Sequence, residues 1–273
     1  RDCLLSRGLG DVYKRQAEGV RAAQKLSMQI SGMQRQPVDI SNYVMGIKCG
    51  GSDATSGLAS NCVIGYVADK IVDLGGTVVF GETTEFIGAE HILARRGVTP
   101  EIGTKIFEKV AAMEARAKSL GCDMRKGQPT PGNIAGGLSS IEEKSLGAIV
   151  KSGTKPIQGV MEYADIVTDQ KGLWIKDTPG REIEILTGMA ATGAQCILFS
   201  TGRGAPQGFP ILPVLKICGN PNTYERMQND MDINAGRIIE GRASIEEVGE
   251  EAFAHLLRIL SGEQTKGETI KYS

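Results

Sequence analysis

Stretches in which apolar residues have a helical spacing alternate with short, continuous apolar runs along most of the chain. Apolar residues three or four positions apart predict amphipathic helices, and short β-branched runs predict buried strands. The predicted strands are residues 43–48, 77–80, 157–160, 172–175, 195–200 and 214–218, and the predicted helices are residues 17–36, 61–74, 100–120, 140–148, 182–192 and 244–260. Helices that alternate with strands predict an α/β protein, in which a Rossmann-like layered sheet carries helices on both faces.

Two segments interrupt this pattern. Residues 1–16 keep no helical or strand period and do not begin with methionine, so we expect a non-native or disordered segment followed by a folded region, residues 17–273. Gly121 ends a predicted helix, and the residues from there to Gly137 are rich in proline, glycine and asparagine, which predicts a long loop. Ordered loops of this length are usually functional, and a division of the fold into two subdomains would fall near residues 121–150.

Composition narrows the class of protein. The chain of 273 residues is 41% hydrophobic and contains 36 glycines, which is typical of a globular, turn-rich protein. Its formal net charge is -1 and no block of like charges occurs, so we expect neither nucleic acid nor an anionic membrane as a partner. No apolar run reaches the roughly 20 residues that cross a bilayer, and the six cysteines are scattered, so we expect a cytoplasmic protein.

The turn over residues 46–57 combines a thiol, hydroxyls and a carboxylate with several glycines. Gly50 and Gly51 let the backbone turn sharply after the first predicted strand and direct several N–H groups to one point, an arrangement that binds anions. Ser52 and Asp53 add a hydroxyl and a carboxylate beside them. A tight turn in which Ser52 or Asp53 only caps the next helix would have the same sequence. The turn taken alone does not decide between a substrate-binding turn and a cap.

Two further turns follow predicted strands, where α/β proteins place their sites. Glu82 and Glu85 follow the second strand, and one could act as a base while the other binds a metal, although two exposed loop carboxylates would look the same. Thr201 and Arg203 follow the strand over residues 195–200, and a guanidinium group can hold a carboxylate through two hydrogen bonds. A surface arginine on a loop is the alternative for Arg203.

Four segments, taken in order, resemble one family, the altronate and galactarate dehydratases. The matching positions lie within residues 46–57, 81–90, 129–147 and 199–204. The resemblance extends from about residue 17 to the C-terminus and corresponds to the large C-terminal catalytic region of those enzymes. It therefore implies an N-terminal domain or a separate small subunit that is missing from this chain. The same region is similar to the large subunit of sulfolactate sulfo-lyase.

This resemblance implies a lyase that removes the proton next to a carboxylate and expels a β-hydroxyl with the help of a metal. Its substrate would be a sugar acid such as altronate or galactarate, and its product a 2-oxo-3-deoxy acid. Release of sulfite from 3-sulfolactate is the alternative reaction, and a non-catalytic module without its N-terminal partner is a third possibility. Nucleotide binding is weaker, because Gly202-Arg203-Gly204 lacks the glycine spacing and the lysine of a phosphate loop.

The expected roles combine residue chemistry with this resemblance. The expected catalytic residues are Glu82, Glu85 and Lys48, the expected substrate-binding residues are Gly50, Gly51, Ser52, Asp53, Asn133, Thr201 and Arg203, and the expected metal ligand is Cys49, with Asp53 and Glu82 or Glu85 as companions. The resemblance implies Fe2+ or Mn2+ as the metal, and we expect a homo-oligomer. Lys144 and Lys151 would contact an anion or act as bases only if they are buried, and solvated lysines are commoner.

Overall fold

The computed structural model describes the backbone of residues 9–271 and the side chains from residue 12 onward, in two units that divide between Val38 and Asp39. The first unit contains helix α1 (Leu9–Ser31), along which side chains such as Leu26 are exposed. The helix starts before the predicted position and ends earlier than residue 36, so the predicted bounds are wrong at both ends. Residues 1–8, the beginning of the segment expected to be non-native or disordered, lie outside the described residues.

The second unit is built on one seven-stranded sheet in which all neighbouring strands are parallel. The strands are β1 (Val44–Cys49), β2 (Thr77–Phe80), β3 (Ile157–Met161), β4 (Gly172–Lys176), β5 (Cys196–Thr201), β6 (Val214–Cys218) and β7 (Ile233–Asn234). Their order across the sheet is β3-β4-β2-β1-β5-β6-β7. The chain leaves β1 toward one side of the sheet and returns on the other side with β5. At such a switch point the carboxyl ends of the two strands border a crevice where α/β proteins bind ligands.

Helices cover both faces of this sheet, as the sequence predicts. They are α2 (Asn61–Asp73), α3 (Glu90–Ala94), α4 (Pro100–Ser119), α5 (Met124–Gly127), α6 (Pro131–Ala135), α7 (Ile141–Ile149), α8 (Glu182–Thr192), α9 (Pro221–Arg226), α10 (Gly236–Ile239), α11 (Ile245–Leu260) and α12 (Lys266–Thr269). Leu198 of β5 belongs to the core shared with α2 and α11, whereas its neighbours Ile197 and Phe199 belong to the core shared with α8. This alternation follows from the strand, in which successive side chains point to opposite faces.

The other predicted elements lie within one residue of the observed ends, except in the segment expected to be a long loop. That expectation is wrong in part, because residues 121–137 contain the short helices α5 and α6. Helix α6 starts with a capping box, in which the Thr130 side chain accepts from the Asn133 backbone and the Asn133 side chain accepts from the Thr130 backbone. No helix among the described residues is both long and apolar enough to span a membrane.

Candidate active site

A cluster of charged side chains lies at the carboxyl ends of β1 and β2. Lys48 and Cys49 end β1, Glu82 and Glu85 follow β2, and Lys151 comes from the turn after α7. Parallel strands bring their carboxyl ends to one edge of the sheet, so residues distant in sequence meet there. Lys48, Cys49, Glu82 and Lys151 are almost completely buried, and Glu85 is 9% exposed. The structure thus brings Lys48, from the end of the first strand, together with Glu82 and Glu85, which follow the second strand.

Glu82 is the centre of this cluster. Its Oε1 atom accepts a hydrogen bond from Lys48 Nζ, and its Oε2 atom accepts from Lys151 Nζ at 2.7 Å and from the Cys49 backbone N–H at 2.9 Å. Burying a carboxylate is costly unless it is paired, and here two ammonium groups compensate its charge. Glu82 therefore holds both lysines in place.

The backbone at Glu82 has an uncommon conformation. Its φ angle of 69° lies in the left-handed region, which few residues other than glycine adopt. The Glu82 N–H donates to Thr178 Oγ1 at 2.7 Å, which ties this turn to the segment that follows β4. A Cβ atom on Gly81 would lie 2.3 Å from the same oxygen, so only glycine fits there. Backbone strain of this kind is concentrated at functional sites.

Cys49 and Glu85 form the second part of the cluster. The Cys49 thiol donates to Glu85 Oε2 at 2.8 Å and accepts from Lys151 Nζ at 3.0 Å. Burial, together with the charges of Glu82 and Glu85, raises the pKa of Cys49 well above 9.0, so it is a thiol at neutral pH. Burial raises the pKa of Glu85, but Lys151, Lys144 and Lys48 outweigh that effect and hold the pKa at about 2. Glu85 is therefore an ionised carboxylate.

Both buried lysines of this cluster are charged. Burial lowers the pKa of Lys48, but the combined effect of Glu82, Cys49 and Glu85 outweighs it and leaves the pKa above 10.5. Burial also lowers the pKa of Lys151, and its contacts with Cys49, Glu82 and Glu85 bring the pKa above the ordinary value. The backbone carbonyl oxygens of Cys49 and Gly180 accept further hydrogen bonds from Lys48, the second at 2.8 Å.

The glycine-rich turn after β1 meets the turn after β5, at the switch point of the sheet. The carbonyl oxygen of Gly51 accepts from the Gly202 N–H at 3.2 Å and from the Arg203 N–H at 2.8 Å. Gly51 has a φ angle of 60°, and a Cβ atom there would lie 3.0 Å from both Gly204 O and Thr201 Oγ1. The Thr201 hydroxyl accepts from the Gly204 N–H at 3.0 Å. The two turns that the sequence singles out are thus directly hydrogen-bonded.

Asp53 and Asn133 hold the first turn in place. Asp53 Oδ1 accepts from the Ser56 N–H at 3.0 Å, and Asp53 Oδ2 accepts from Asn220 Nδ2 at 3.1 Å. The Asn133 amide donates to the Ser52 carbonyl at 2.8 Å, while its oxygen accepts from Thr130 Oγ1 at 2.8 Å. Both side chains use their polar atoms within the protein. The capping role that the sequence left open for Asp53 is therefore present.

A cavity of about 20 Å3 lies between the turn after β1 and helix α7. It is lined by Ser52, Asp53, Ser56, Gly57, Asn61, Leu138, Lys144, Gly147 and Ala148. Lys144 connects this cavity with the acidic cluster, because its Nζ atom lies 3.6 Å from Glu85 Oε1. Arg203 is exposed, and its guanidinium lies against Gly132, where a Cβ atom would be 2.0 Å from Nη1.

Cys49, Glu82 and Glu85 are compatible with a divalent metal ion. Each offers one ligand atom, and these atoms lie within 4.8 Å of one another. Thiolate and carboxylate groups ligate divalent transition metals, provided that the thiol loses its proton. Asp53, expected as a companion ligand, does not belong to this triad and is hydrogen-bonded to Ser56 and Asn220 instead.

Several residues of this region were missed or left undecided by the sequence analysis. Lys151, for which solvation is the commoner expectation, is completely buried, and the apolar run before it is the one local signal for that position. Asn220 precedes a proline that begins helix α9, a pattern typical of a helix cap. Thr178 and Gly180 lie in a polar turn after β4, and nothing in the local sequence distinguishes them from surface residues.

Comparison with known proteins agrees with the resemblance. Residues 40–273 match the family described as D-galactarate/altronate dehydratase, C-terminal. The chain is 37% identical over 258 residues to (2R)-sulfolactate sulfo-lyase subunit beta of Chromohalobacter salexigens, covering 93% of this chain and 66% of that protein. It is 36% identical over 245 residues to galactarate dehydratase (L-threo-forming) of Escherichia coli, covering 90% of this chain and 46% of that protein.

Altronate dehydratase of Bacillus subtilis is a further relative, 33% identical over 250 residues, which cover 92% of this chain and 50% of that protein. The chain therefore spans about half to two thirds of the length of these relatives. The family match, in contrast, includes the second structural unit except its first residue, Asp39. On this evidence the chain belongs to the family of D-galactarate/altronate dehydratase C-terminal regions.

Proposed function

We propose that this chain is the catalytic region of a hydro-lyase that dehydrates a sugar acid such as altronate or galactarate to a 2-oxo-3-deoxy acid. The observation that carries this proposal is an ionised, partly accessible carboxylate, Glu85, held beside three lysines at the carboxyl edge of the sheet. Removing a proton next to a carboxylate needs a base, and the anion that forms needs nearby positive charge. The names of the galactarate and altronate dehydratase relatives support the substrate class.

Glu85 is the proposed base. Glu82 is less suitable, because both of its oxygens are hydrogen-bonded to groups within the protein. A pKa of about 2 makes Glu85 a weak base while the lysines face it. A substrate carboxylate that draws one of these ammonium groups to itself would raise the pKa of Glu85 toward the range that proton abstraction requires. Glu82 and Lys48 then act by fixing the charges around Glu85.

The turns after β1 and β5 are the proposed substrate cradle. Arg203 is exposed on the second turn, and its guanidinium can bind a carboxylate through two hydrogen bonds. On the first turn the proposed donors are the N–H groups of Gly51 and Ser52, because the Gly50 N–H donates to the Ser200 carbonyl at 3.0 Å. Asp53, Asn133 and Thr201 are hydrogen-bonded inside the protein and would support the cradle.

Cys49, Glu82 and Glu85 would hold the metal ion, and Fe2+ suits a mixed thiolate and carboxylate set, whereas Mn2+ favours the carboxylates. When bound, such an ion supplies a Lewis acid for the substrate oxygens. The proposal also includes an N-terminal domain or small subunit that completes the site, since the chain spans only 46% of the galactarate dehydratase.

Release of sulfite from 3-sulfolactate is the second candidate function. Identity to the sulfo-lyase subunit is 37% and identity to the galactarate dehydratase is 36%, so sequence distance does not separate the two reactions. Both begin with the loss of a proton next to a carboxylate. Glu85 and the cradle would serve either reaction, and only the groups near the departing substituent would differ.

Formation of a 2-oxo acid tests the proposal. The chain, alone and together with an N-terminal module of the family, is prepared without oxygen, supplied with Fe2+ or Mn2+, and offered altronate, galactarate and (2R)-sulfolactate. A 2-oxo acid from a sugar acid supports the dehydratase, and sulfite with pyruvate supports the alternative. No product from any of the three acids would favour a non-catalytic module.

Arg203→Ala tests the proposed cradle in the active preparation. The loss of a bidentate contact with the substrate carboxylate should lower kcat/KM by roughly 100-fold or more. Arg95→Ala, which removes another exposed arginine, is the matched control and should leave kcat/KM unchanged. Equal activity of the two variants would remove Arg203 from the site.

A further inference from the structure

The three lysines around Glu85 differ in how many of their hydrogen-bond donors are in use. An ammonium group has three N–H donors. Lys48 uses all of them, on Glu82, the Cys49 carbonyl and the Gly180 carbonyl. Lys151 uses two, on Cys49 Sγ and Glu82 Oε2, and its Nζ atom lies 3.6 Å from Glu85 Oε2. Both of these lysine side chains are almost completely buried.

Lys144 is different. Within the described part of the chain its Nζ atom makes one hydrogen bond, to Gln128 Oε1 at 2.8 Å. Glu85 Oε1 is 3.6 Å away, which is too far for a hydrogen bond, so two N–H groups of Lys144 remain without an acceptor. The side chain is only 14% exposed and lines the cavity beside the turn after β1. Lys144 thus has unused donors 3.6 Å from Glu85 Oε1, on a side chain that is not completely buried.

The charges of the cluster favour an anion at this place. Three ammonium groups face two carboxylates, so these ion pairs leave one positive charge uncompensated. In a partly buried site such a charge attracts an anionic ligand more strongly than it would in water. Because Lys144 combines spare donors with a side chain that is not completely buried, whereas Lys151 is completely buried, Lys144 is the group that the anion would contact.

We propose that Lys144 binds the substrate directly, through the carboxylate next to the carbon that loses its proton, and that Gln128 positions Lys144. The inference rests on the proposed function. An oxygen bound to Lys144 would lie near its own α-carbon, and Glu85 Oε1 is close enough to Lys144 to face the proton on that carbon. Glu85 takes the proton, the C–H electron pair moves into the carboxylate, and its return forms the carbon–carbon double bond as the β-substituent leaves. Lys144 stabilises the extra negative charge on the carboxylate oxygens in between.

Binding of galactarate to the chain, followed by calorimetry, tests this contact without requiring turnover. Lys144→Gln keeps a side chain of similar shape but removes the charge, and should weaken binding about 10- to 100-fold, the range for a hydrogen bond to a charged group. Lys144→Arg keeps the charge and should recover part of the loss. Gln128→Ala should weaken binding less than Lys144→Gln does, because it only frees the ammonium group.

Lys126→Gln is the matched control. Lys126 lies on helix α5 in the same stretch of chain, is 87% exposed and makes only a 3.8 Å contact with Asp123. This variant removes the same charge and should change galactarate affinity by less than about twofold. Thermal unfolding of each variant verifies that it is folded before binding is measured.

The outcomes separate this inference from the proposed function. Binding that depends on Lys144 without formation of any 2-oxo acid would support the contact and overturn the dehydratase. Product formation with equal affinity in the Lys144→Gln and Lys126→Gln variants would overturn the contact and leave the dehydratase standing. If Lys144→Gln shifted the pH profile of kcat but left the affinity for galactarate unchanged, Lys144 would act only through Glu85. That result would overturn direct binding of the substrate by Lys144. Wild-type protein that binds no galactarate, altronate or (2R)-sulfolactate would overturn it as well.

Discussion

Lys48 and Lys151 form one pair of buried lysines, and Lys176 and Lys216 form another. All four are almost completely buried. The first pair contacts the Glu82 carboxylate, whereas Lys176 and Lys216 donate to the backbone carbonyls of Asp165 at 2.8 Å and Pro206 at 2.7 Å. Burial lowers the pKa of every one of them, but only the first pair has carboxylate partners strong enough to bring the pKa above 10.5.

The difference indicates what each pair does. Lys176 and Lys216 bury their hydrocarbon stems in the fold and need only one acceptor for the ammonium group. Lys48 and Lys151 are kept charged by a carboxylate that is itself buried, and a well-packed apolar pair would often be as stable. A fold that retains such charges at the carboxyl edge of a parallel sheet is consistent with a functional site. The carboxylate of Glu82 is what distinguishes the two pairs.

Glu82→Gln should have the largest effect on the free energy of unfolding, because it removes the carboxylate that distinguishes the two lysine pairs. Two ammonium groups would stay buried without their counter-charge, and breaking a buried ion pair in this way costs about 3–5 kcal/mol. The free energy of unfolding in urea at pH 7 measures the loss. Glu162→Gln is the control, since Glu162 forms an exposed ion pair with Lys109 at 2.6 Å, and pairs of that kind contribute at most about 1 kcal/mol. Similar losses in both variants would contradict the central role of Glu82.

Lys151→Met and Lys216→Met compare the pairs directly. Removing Lys151 leaves Glu82 and Glu85 with less positive charge around them, so we expect a loss of about 3 kcal/mol in the free energy of unfolding. Removing Lys216 leaves the Pro206 carbonyl without its donor and takes a positive charge away from Asp232, but it also removes a buried charge and the apolar replacement fills the same space, so we expect a change within about 1 kcal/mol. If the two variants were equally stable, the partner carboxylates would not matter for stability.

Most of the sheet could be predicted from local sequence. Strand β2 is a short β-branched run, and helix α8 lies between two such runs, so both have a period that a single sequence displays. Helices α5 and α6 are too short for a helical period and are rich in residues that usually mark loops. Their caps are local, from Asp123 to Arg125 and between Thr130 and Asn133, but a cap without a periodic apolar run after it does not predict a helix.

The sequence predicts the position of the candidate site in the fold better than it predicts the hydrogen bonds within the site. Glu82 and Arg203 follow strands, and the rule that parallel strands end at one edge places them together. The hydrogen bond from Lys151 to Glu82 joins residues 69 positions apart, and no pattern near either residue indicates it. Asn133 was expected to bind substrate, but the structure directs its amide to the Ser52 carbonyl. Burial decides these cases, and single-sequence patterns do not give the burial of an individual polar side chain.

The smallest expected effect is on the pH dependence of the free energy of unfolding. Lys48 and Lys176 should change its slope with opposite signs, which makes the test sharp. Lys48 has its pKa raised in the folded state, so its stabilising effect is complete below the unfolded value of 10.5 and is lost as the pH rises through the folded pKa. Lys176 has its pKa lowered, so the cost of its buried charge is present at low pH and disappears as the pH rises toward 10.5. The two lysines should therefore change the slope of stability against pH in opposite directions.

Urea unfolding between pH 8 and pH 12, as a test range, measures both slopes, and a single proton changes the slope by about 1.4 kcal/mol per pH unit. Above pH 10.5, Lys48→Met should lose less stability with rising pH than the wild type does. Below that pH, Lys176→Met should gain less stability with rising pH than the wild type does. A change of the same sign in both variants would show that the carboxylate of Glu82 does not separate the two pairs, because the charge state of each lysine would then follow from burial alone.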